Sequence, residues 1–534
     1  MVRVALAQIN SIVGDFNHNC SKIIASIKKA RRLRADFIIF PELAVTGYPP
    51  EDLLLKPYFI SENIRFLRLI SKECKGIIAF IGCADRQNGQ IYNSCAVIQN
   101  KQIRHIYHKI RLPNYGVFDE KRYFRRGEQI PIFTVSGYNI AVTICEDVWT
   151  EEYIQVLKSK KIDFLINISA SPFHLGKVQM RERVLSYAAK ELGCFVVYCN
   201  LVGGQDGLVF DGTSKIINPA GKVIKCARRF EEDFWVVNLS KKKKYSSQKI
   251  RITEKEEIFS ALRLGLYDYV RKNCFKKVII GVSGGIDSAV VVALAVLALG
   301  KRNTYALIMP SRYTSKGTFS DAKKICDNLG IEYRIVSIEG IFSSYIKNLK
   351  DYFKGRKTGK TEENIQARIR GNILMAFSNK FGYLVLNTGN KSEVSCGYCT
   401  LYGDMVGGFG ILKDVPKLLV YKLAHYINRI SKKKIIPSSV IKREPSAELR
   451  ANQKDADSLP SYGILDPIVK LYVEDDYSLK KIVKAGFDKK IVKKVIRMID
   501  GSEYKRRQAP VGIKVTPRAF GKDRRMPITN RFFQ

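Results

Sequence analysis

Residues 278–288, VIIGVSGGIDS, constrain the fold of this chain more than any other stretch. A run of β-branched residues turns through two glycines into Asp287 and Ser288, and the apolar residues 289–299 follow. This order predicts a strand, a tight loop and the start of a helix. Because the glycines let backbone N–H groups converge and the helix directs its positive end to the same place, the loop is suited to binding a phosphate.

The loop lacks the lysine that a Walker A motif, GxxxxGK[ST], would carry. SGGIDS instead resembles the pyrophosphate loop of the ATP pyrophosphatases, which split ATP between its α and β phosphates to adenylate a substrate. The resemblance implies an ATP site, and the carboxylate of Asp287 would lie where a pyrophosphate-bound Mg²⁺ sits. The alternative is an ordinary glycine-rich turn without a ligand. The predicted ATP contacts of this loop are Gly281, Val282, Ser283, Gly284, Gly285, Ile286, Asp287 and Ser288.

The composition is that of a soluble globular protein, with 46% hydrophobic and 26% charged residues. Its 534 residues are too many for one core, and length alone allows about three domains. The N-terminal residues alternate like a strand and lack a signal-peptide pattern. The longest apolar run, 289–299, is shorter than the ~20 residues of a membrane-spanning helix. We therefore expect a cytoplasmic protein with no membrane partner and with reduced cysteines.

The net charge is +41, from 91 Lys and Arg against 50 Asp and Glu. A basic surface is the usual electrostatic sign of a nucleic-acid partner. Here the basic residues are spread along the whole chain, and no RNP, zinc-finger or helix-turn-helix pattern accompanies them. We favour a lysine-rich solvated surface that also attracts anionic nucleotides, and expect no nucleic-acid partner.

Strand-like and helix-like stretches alternate through residues 1–239. Strands this apolar require cover on both faces, which predicts a layered α/β domain. The strand-like stretches are VRVALAQI, ADFIIFPEL, GIIAFIGCA, SCAVIQ, YNIAVTIC, DFLINIS and CFVVYCN.

Three residues of this half are candidates for catalysis: Glu42, Lys109 and Cys145. A thiol that ends a strand can project into a cleft, and nearby positive charge would lower its pKa and make it a nucleophile. A glutamate can take the thiol proton, and a lysine can stabilise an oxyanion. Taken singly, each has an equally good alternative: Glu42 as a surface acid, Lys109 as one of many lysines, and Cys145 as a small buried hydrophobic residue. Only their combination favours catalysis.

Five ordered blocks, FPELAVTGYPPEDLL, HKIRLPNYGVFDEKRYF, ICEDVW, NISASPFHLGK and IINPAGKV, resemble the signature segments of the nitrilase superfamily of carbon–nitrogen hydrolases. The resemblance implies an αββα sandwich in which Glu42, Lys109 and Cys145 form the catalytic triad. Glu120 is a candidate for supporting the triad and Glu146 follows the nucleophile, but the sequence decides neither role. In glutamine-cleaving members, the positions matching Tyr115, Ser171 and Lys177 contact glutamine. Core packing of Tyr115 and a turn hydroxyl at Ser171 are the alternatives.

Residues 240–257, SKKKKYSSQKIRITEKEE, are too polar to bury apolar surface and predict a linker. We therefore predict an N-terminal domain at 1–239 and a C-terminal domain at 258–534. In the second domain TYALIMPS, EYRIVSI and YLVLNTGN alternate with helical segments. This pattern predicts a doubly wound parallel sheet with its ligands at the carboxyl ends of the strands.

Residues 361–404 closely resemble the amide-forming NAD synthetases, members of the same ATP pyrophosphatase group. The resemblance implies an adenine nucleotide alpha hydrolase-like fold, with Thr388 on ATP, Asn364, Glu393 and Lys505 on the dinucleotide, and Glu393 joining Asp287 on the metal. Each residue also has an ordinary explanation. Asn364 would be a helix-cap or surface amide, and Thr388 would make strand-end hydrogen bonds. Glu393 would be an acid in the first turn of a helix, and Lys505 part of a solvated basic tail. Residues 445–466 are rich in turn formers and predict a mobile cover. The basic residues 515–534 are expected to wrap a neighbouring surface without forming an element.

Together, the two resemblances imply that one domain feeds the other. Glutamine would be cleaved at Cys145 through a thioester, and the ammonia would displace AMP from adenylated deamido-NAD⁺, with ATP and Mg²⁺ required. Because ammonia in water is mostly ammonium, a sheltered passage is expected. Such two-domain members form homo-oligomers, often octamers. Two alternatives remain: the ATP chemistry acts on tRNA, or the second half is a nucleotide-sensing module on an amidase.

Overall fold

The computed structural model describes residues 1–135, 137–248 and 252–532. The chain forms two compact units, Met1–Ile252 and Thr253–Gln534, fewer than length alone allows. Residues 249–251 of the predicted linker lie outside the described residues. The last four residues of that linker belong to a helix that begins at Glu254, and Tyr245 packs on Phe195 of the first unit.

The first unit contains two six-stranded sheets and a separate hairpin. Their orders are β14-β1-β2-β3-β4-β5, β13-β12-β9-β8-β7-β6 and β10-β11. The strands are β1 (Val2–Gln8), β2 (Phe37–Ile39), β3 (Ile78–Gln87), β4 (Gln90–Gln99), β5 (Gln102–His108), β6 (Ile132–Val135), β7 (Tyr138–Ile144), β8 (Phe164–Ser169), β9 (Phe195–Asn200), β10 (Val202–Gln205), β11 (Leu208–Asp211), β12 (Lys215–Ile217), β13 (Val223–Cys226) and β14 (Asp233–Leu239). The helices are α1 (Phe16–Arg32), α2 (Pro57–Ser71), α3 (Glu151–Lys158) and α4 (Lys177–Leu192).

The two large sheets face one another across an apolar core. Phe37 of β2 lies edge-on to Phe164 of β8, with 6.2 Å between ring centroids. On the opposite face of the first sheet, Ile38 packs in a second core with Ile27 of α1 and Leu67 of α2. Helix α4 packs on β9, so each sheet has helical cover. The predicted αββα sandwich is confirmed, and strands buried on both faces account for the continuous apolar runs in the sequence.

The second unit is built on one five-stranded sheet in which all pairs are parallel, in the order β17-β16-β15-β18-β19. The strands are β15 (Val278–Gly281), β16 (Thr304–Ile308), β17 (Glu332–Ile335), β18 (Leu384–Asn387) and β19 (Phe409–Gly410). The helices are α5 (Glu254–Lys272), α6 (Ile286–Leu299), α7 (Lys316–Leu329), α8 (Glu339–Leu349), α9 (Lys360–Phe381), α10 (Lys391–Cys396), α11 (Lys417–Ile430), α12 (Ser438–Lys442), α13 (Tyr462–Val469), α14 (Leu479–Lys484), α15 (Lys489–Asp500) and α16 (Glu503–Arg506).

The strand order of this sheet positions the site. From β15 the chain moves outward through β16 to β17, and then returns to place β18 on the other side of β15. The carboxyl ends of β15 and β18 therefore border the crevice where open α/β sheets bind ligands. Helix α6 starts directly at the glycine turn and is buried against α5 and α11, which explains why it is apolar all round. The doubly wound prediction is confirmed.

The helices α13, α14 and α15 share a separate apolar core. Residues 515–532 contain no helix or strand and pack on this unit. The fully buried Lys391 of α10 donates to Thr516 Oγ1 at 2.6 Å and to the carbonyl of Arg518 at 2.9 Å. Among the residues that the structure describes, no helix is both long enough and apolar enough to cross a membrane.

Candidate active sites

The first candidate site lies where β2, β5 and β7 end. Glu42 follows β2 and is completely buried. Its Oε1 accepts from Lys109 Nζ and from Asn93 Nδ2, each at 2.7 Å, and its Oε2 accepts from the backbone N–H of Ala170 at 2.7 Å. Three donors thus fix the carboxylate in one orientation.

Lys109 follows β5 and is 1% exposed. Its ammonium group also donates to Glu120 Oε1 at 2.9 Å, and the same oxygen accepts from the hydroxyl of Tyr48 at 3.0 Å. Burial alone would lower the pKa of Lys109, but the carboxylates of Glu120 and Glu42 raise it well above its usual value. The lysine is therefore a permanent cation that is shielded from bulk solvent.

Cys145 follows β7 directly and opens a single 3₁₀ turn, Cys145–Trp149. Its φ of 44° lies in the left-handed region that only glycine adopts without strain. Burial, and then the carboxylate of Glu42, raise the pKa of this thiol well above its usual value, and Lys109 offsets only part of the increase. The expectation that positive charge would lower this pKa is therefore wrong, because carboxylates and desolvation outweigh one ammonium group.

The thiol is consequently neutral before substrate binds. A neutral thiol becomes a nucleophile only if a base takes its proton during attack. Glu42 is the carboxylate with the largest electrostatic effect on the sulfur. The geometry thus supplies a nucleophile, a base and a buried cation within one enclosed site.

The three predicted glutamine contacts differ in their surroundings. Tyr115 is more than half exposed, which excludes the core-packing alternative, and its hydroxyl donates to Glu146 Oε1 at 2.8 Å. Both residues line an open groove. Ser171 is buried, and Lys177 begins α4 with its Nζ 4.1 Å from the ring centroid of Trp149. Ser171 and Lys177 are not part of the groove lining, and glutamine binding by all three stays a prediction.

The second candidate site is a cavity of about 320 Å³ at the carboxyl edge of the parallel sheet. All predicted residues of the glycine turn, Gly281 to Ser288, line it together with Thr388 and Glu393. Gly284 has a φ of 87°, and a Cβ there would lie 2.2 Å from the carbonyl oxygen of Thr318. Only glycine allows the turn to approach α7 this closely.

Two carboxylates converge on one cation inside this cavity. Lys417 Nζ lies 2.5 Å from Asp287 Oδ2 and 3.1 Å from Glu393 Oε1, and Asn390 Nδ2 donates to the other oxygen of Asp287 at 3.0 Å. Burial raises the pKa of Glu393 to about 7, although Lys417 opposes this. The arrangement already stabilises positive charge between two hard oxygen donors.

This donor set fits the predicted metal site. Among the described residues, no three His, Cys, Asp or Glu side chains converge as a complete metal cage. Mg²⁺ is usually held by one or two carboxylates together with substrate phosphates and water. Asp287 and Glu393 are such a pair, beside the turn that is suited to phosphate.

Asn364 and Lys505 lie outside the cavity lining. Asn364 Oδ1 accepts from Thr400 Oγ1 at 2.8 Å. Lys505 Nζ donates to the carbonyls of Gly397 and Cys399, both at 2.8 Å, so this lysine is not part of a solvated tail. Cys399 does line the cavity, which places Lys505 directly behind the wall. Dinucleotide contacts by Asn364 and Lys505 stay predictions.

Part of the predicted cover lies over the glycine turn. Residues 445–449 line the cavity. Arg443 donates to the carbonyl of Gly284 at 3.3 Å and pairs with Asp321. Glu448 accepts from Thr318 Oγ1 at 2.8 Å. The end of the predicted cover is helical, because α13 begins at Tyr462.

Comparison with known proteins identifies the family. Residues 3–244 match the carbon–nitrogen hydrolase family, and residues 258–509 match the NAD synthase family. Two glutamine-dependent NAD(+) synthetases, from Thermotoga maritima and Aquifex aeolicus, are each 44% identical to the chain. The alignments cover 99% of the chain and 99% of the Thermotoga protein, and 100% of both for Aquifex. This chain belongs to the glutamine-dependent NAD(+) synthetases.

A solved synthetase of this family agrees in three dimensions. The glutamine-dependent NAD+ synthetase from Acinetobacter baumannii, in complex with ADP, is 42% identical with a TM-score of 0.81, covering 99% of this chain and 98% of that one. The enzyme from Cytophaga hutchinsonii, 22% identical with a TM-score of 0.87, shows the same fold.

Sequence reasoning missed several residues of both synthetase sites. Asn93 lies inside β4. Tyr48 and Asp147, a buried acid that accepts from the backbone on both sides of the site, lie near predicted catalytic residues without a signal of their own. Lys417 is the first residue of α11, where a lysine is normally solvent-exposed. Only the structure shows that Lys417 is 2% exposed and that its ammonium group pairs with the carboxylates of Asp287 and Glu393.

Proposed function

We propose that this chain makes NAD⁺ from deamido-NAD⁺, with glutamine as the nitrogen donor and ATP as the activating substrate. The observation that supports the proposal most strongly is the presence in one chain of two separate sites, one buried and one in a cavity at the edge of the parallel sheet. One combines Glu42, Lys109 and Cys145. The other combines the glycine turn with Asp287 and Glu393. The full-length relatives share both units.

In the first unit, the Cys145 sulfur attacks the side-chain amide carbon of glutamine while Glu42 takes the thiol proton. The ammonium of Lys109 stabilises the negative charge on the tetrahedral oxygen. The proton then passes to the leaving nitrogen, and ammonia departs from a thioester. Glu42 next accepts a proton from water while the water oxygen attacks the thioester carbon. The C–S bond breaks, the proton returns from Glu42 to the Cys145 sulfur, and glutamate is released.

In the second unit, the nicotinate carboxylate of deamido-NAD⁺ attacks the α-phosphorus of ATP, and pyrophosphate departs. Ammonia then attacks the acyl carbon, the C–O bond to AMP breaks, and one proton is lost from the nitrogen, so the products are AMP and the amide of NAD⁺. The glycine turn and the start of α6 bind the phosphates through backbone N–H groups. Asp287 and Glu393 would hold Mg²⁺, which supplies charge neutralisation for the departing pyrophosphate.

The finer assignments belong to the same proposal. Tyr115, Ser171 and Lys177 bind glutamine, and Thr388 binds ATP. Asn364, Glu393 and Lys505 bind the dinucleotide. The enzyme acts in the cytoplasm as a homo-oligomer. The domains are residues 1–239 and 258–534.

A product assay tests the proposal. With glutamine, ATP and deamido-NAD⁺, the enzyme should release glutamate, AMP, pyrophosphate and NAD⁺ in equal amounts. Cys145→Ala should abolish NAD⁺ formation from glutamine and leave formation from added ammonia intact. Loss of both activities in this variant would contradict separate sites. ADP and phosphate as products would contradict adenylation.

A further inference from the structure

Asp147 lies two residues after the nucleophile and is completely buried. Its carboxylate accepts four hydrogen bonds. Oδ1 accepts from the backbone N–H groups of Ile110 at 3.1 Å and Arg111 at 2.7 Å. Oδ2 accepts from the backbone N–H of Ile144 and from the hydroxyl of Tyr107, both at 2.8 Å.

These donors belong to two different parts of the sandwich. Ile110 and Arg111 immediately follow Lys109, at the end of β5 in the first sheet. Ile144 immediately precedes Cys145, at the end of β7 in the second sheet. One carboxylate therefore joins the backbone beside the lysine to the backbone beside the thiol.

We propose that Asp147 is a positioning residue of the glutaminase reaction, which sets the separation between the Lys109 ammonium and the Cys145 sulfur. The proposal rests on the catalytic roles given above to Lys109 and Cys145. A lysine stabilises the tetrahedral oxygen only if it lies within hydrogen-bond reach of the place where that oxygen forms. Catalytic groups must be held to within about 0.5 Å, and an error of about 1 Å can cost roughly 100-fold in rate.

The charge state of Asp147 suits this role. Burial raises its pKa to about 6, while the hydrogen bonds from Ile144 and Arg111 oppose the increase. The group is therefore ionised at neutral pH and can accept from all four donors.

Asp147→Asn provides the test, because asparagine has the same shape but only one acceptor oxygen. Whichever way the amide turns, its NH₂ group faces two donors, and one of the two backbone segments loses its anchor. We expect kcat for glutamine-dependent NAD⁺ formation to fall about 100-fold, the KM for glutamine to stay within about threefold, and ammonia-dependent formation to keep its wild-type rate.

Tyr153→Phe is the matched control. Tyr153 is buried nearby, and its hydroxyl bonds to that of Tyr107 at 2.9 Å without touching Asp147. It should keep the wild-type kcat with glutamine. Tyr107→Phe removes one donor and leaves the three backbone bonds. If Asp147→Asn does not fold, Tyr107→Phe decides, with an expected fall in kcat of about threefold to tenfold at unchanged KM.

The role of Asp147 is overturned if Asp147→Asn keeps its kcat, if only its KM rises, or if ammonia-dependent synthesis falls in parallel. A wild-type kcat in Tyr107→Phe would overturn it when Asp147→Asn is not obtained. Cys145→Ala separates this inference from the proposed function. Glutamine use by Cys145→Ala would refute the triad itself. If Cys145→Ala cannot use glutamine but Asp147→Asn uses it at the wild-type rate, only the role of Asp147 is refuted.

Discussion

The Nζ atom of Lys109 lies 2.7 Å from Oε1 of Glu42, and neither side chain is more than 1% exposed. A buried pair of this kind gains its attraction at a large desolvation cost, so removal of one partner leaves an uncompensated charge. The site therefore couples the stability of the first unit to its chemistry. Both tryptophans, Trp149 and Trp235, lie in this unit, so their fluorescence reports its unfolding without a signal from the second unit.

Lys109→Met should destabilise the first unit by about 3–5 kcal/mol, because Glu42 and Glu120 would both remain buried without a cation. Urea unfolding followed by tryptophan fluorescence measures this loss. Glutamine-dependent synthesis should disappear while ammonia-dependent synthesis remains. The exposed Lys121 provides the control, since Lys121→Met should unfold at the wild-type urea concentration. Equal midpoints for the two variants would contradict a buried ion pair.

Glu120 should make the first unit less stable as the pH rises. Burial raises the pKa of Glu120 to about 7, so between its ordinary pKa of 4.5 and pH 7 the folded state binds a proton that the unfolded state has lost. Stability therefore falls as pH rises through this range and is constant above it. In Glu120→Gln, the fall in the free energy of unfolding between pH 4.5 and pH 7 should be smaller by up to about 3 kcal/mol.

Tryptophan-detected urea titrations from pH 4.5 to 8 check this dependence. Asp147, whose pKa is raised to about 6, should leave a smaller slope in Glu120→Gln. Glu128→Gln, at an exposed position, should follow the wild-type curve. A Glu120→Gln curve that is as steep as the wild type would show that another group carries the dependence.

Lys417→Met should impair the second unit alone. Asp287 and Glu393 would lose their shared cation. Without it the pKa of Glu393 would rise further above about 7, so Glu393 would be less ionised and the site would bind Mg²⁺–ATP more weakly. We expect NAD⁺ formation from ammonia to fall at least tenfold, while glutamine hydrolysis continues.

Calorimetric titration with ATP in the presence of Mg²⁺ measures the affinity of this variant. Lys422→Met on the same helix is the control, because Lys422 is exposed and only reaches Glu254 at 3.6 Å. If Lys417→Met bound ATP like the control, the convergence of the two acids would have no part in nucleotide binding.

Gly284→Ala should lower the stability of the second unit by more than the strain of its positive φ accounts for. Gly284 and Gly300 have nearly the same φ, 87° and 86°, but a Cβ at Gly300 would contact nothing within 4 Å. Gly300→Ala therefore measures the strain of a positive φ without a steric clash, about 1–3 kcal/mol. Gly284→Ala adds the clash with Thr318, so it should also abolish ATP binding. Thermal unfolding and ATP titration of both variants provide the comparison, and equal effects would refute the close approach.

The sequence predicts strands better than it predicts their partners. Apolar runs such as FWVVNL give β14, but its antiparallel pairing with β1, more than 200 residues away, has no local signal. In the second unit, alternation of strands and helices is enough, because parallel sheets of this kind follow one rule of connection and place their ligands at the carboxyl ends.

Some site residues can likewise be predicted from local sequence, and others only from the folded structure. Glu42, Lys109, Cys145 and the glycine turn carry motifs, so they can be found in the sequence. The structure buries the first three and places the turn in the wall of the second cavity. Lys417 and Asp147 act through contacts made only after folding. The pKa of Cys145 was predicted with the wrong sign because a sequence shows the nearby lysine but not the depth of burial.

The protonated resting state of Cys145 has a consequence for survival of the enzyme under oxidative stress. Peroxides and alkylating agents consume thiolates far faster than thiols. A sulfur that ionises only while glutamine is being attacked offers these reagents almost no target between turnovers. These reagents should therefore react first with permanently ionised cysteines in other proteins. NAD⁺ synthesis should then continue after enzymes that depend on such cysteines have lost activity.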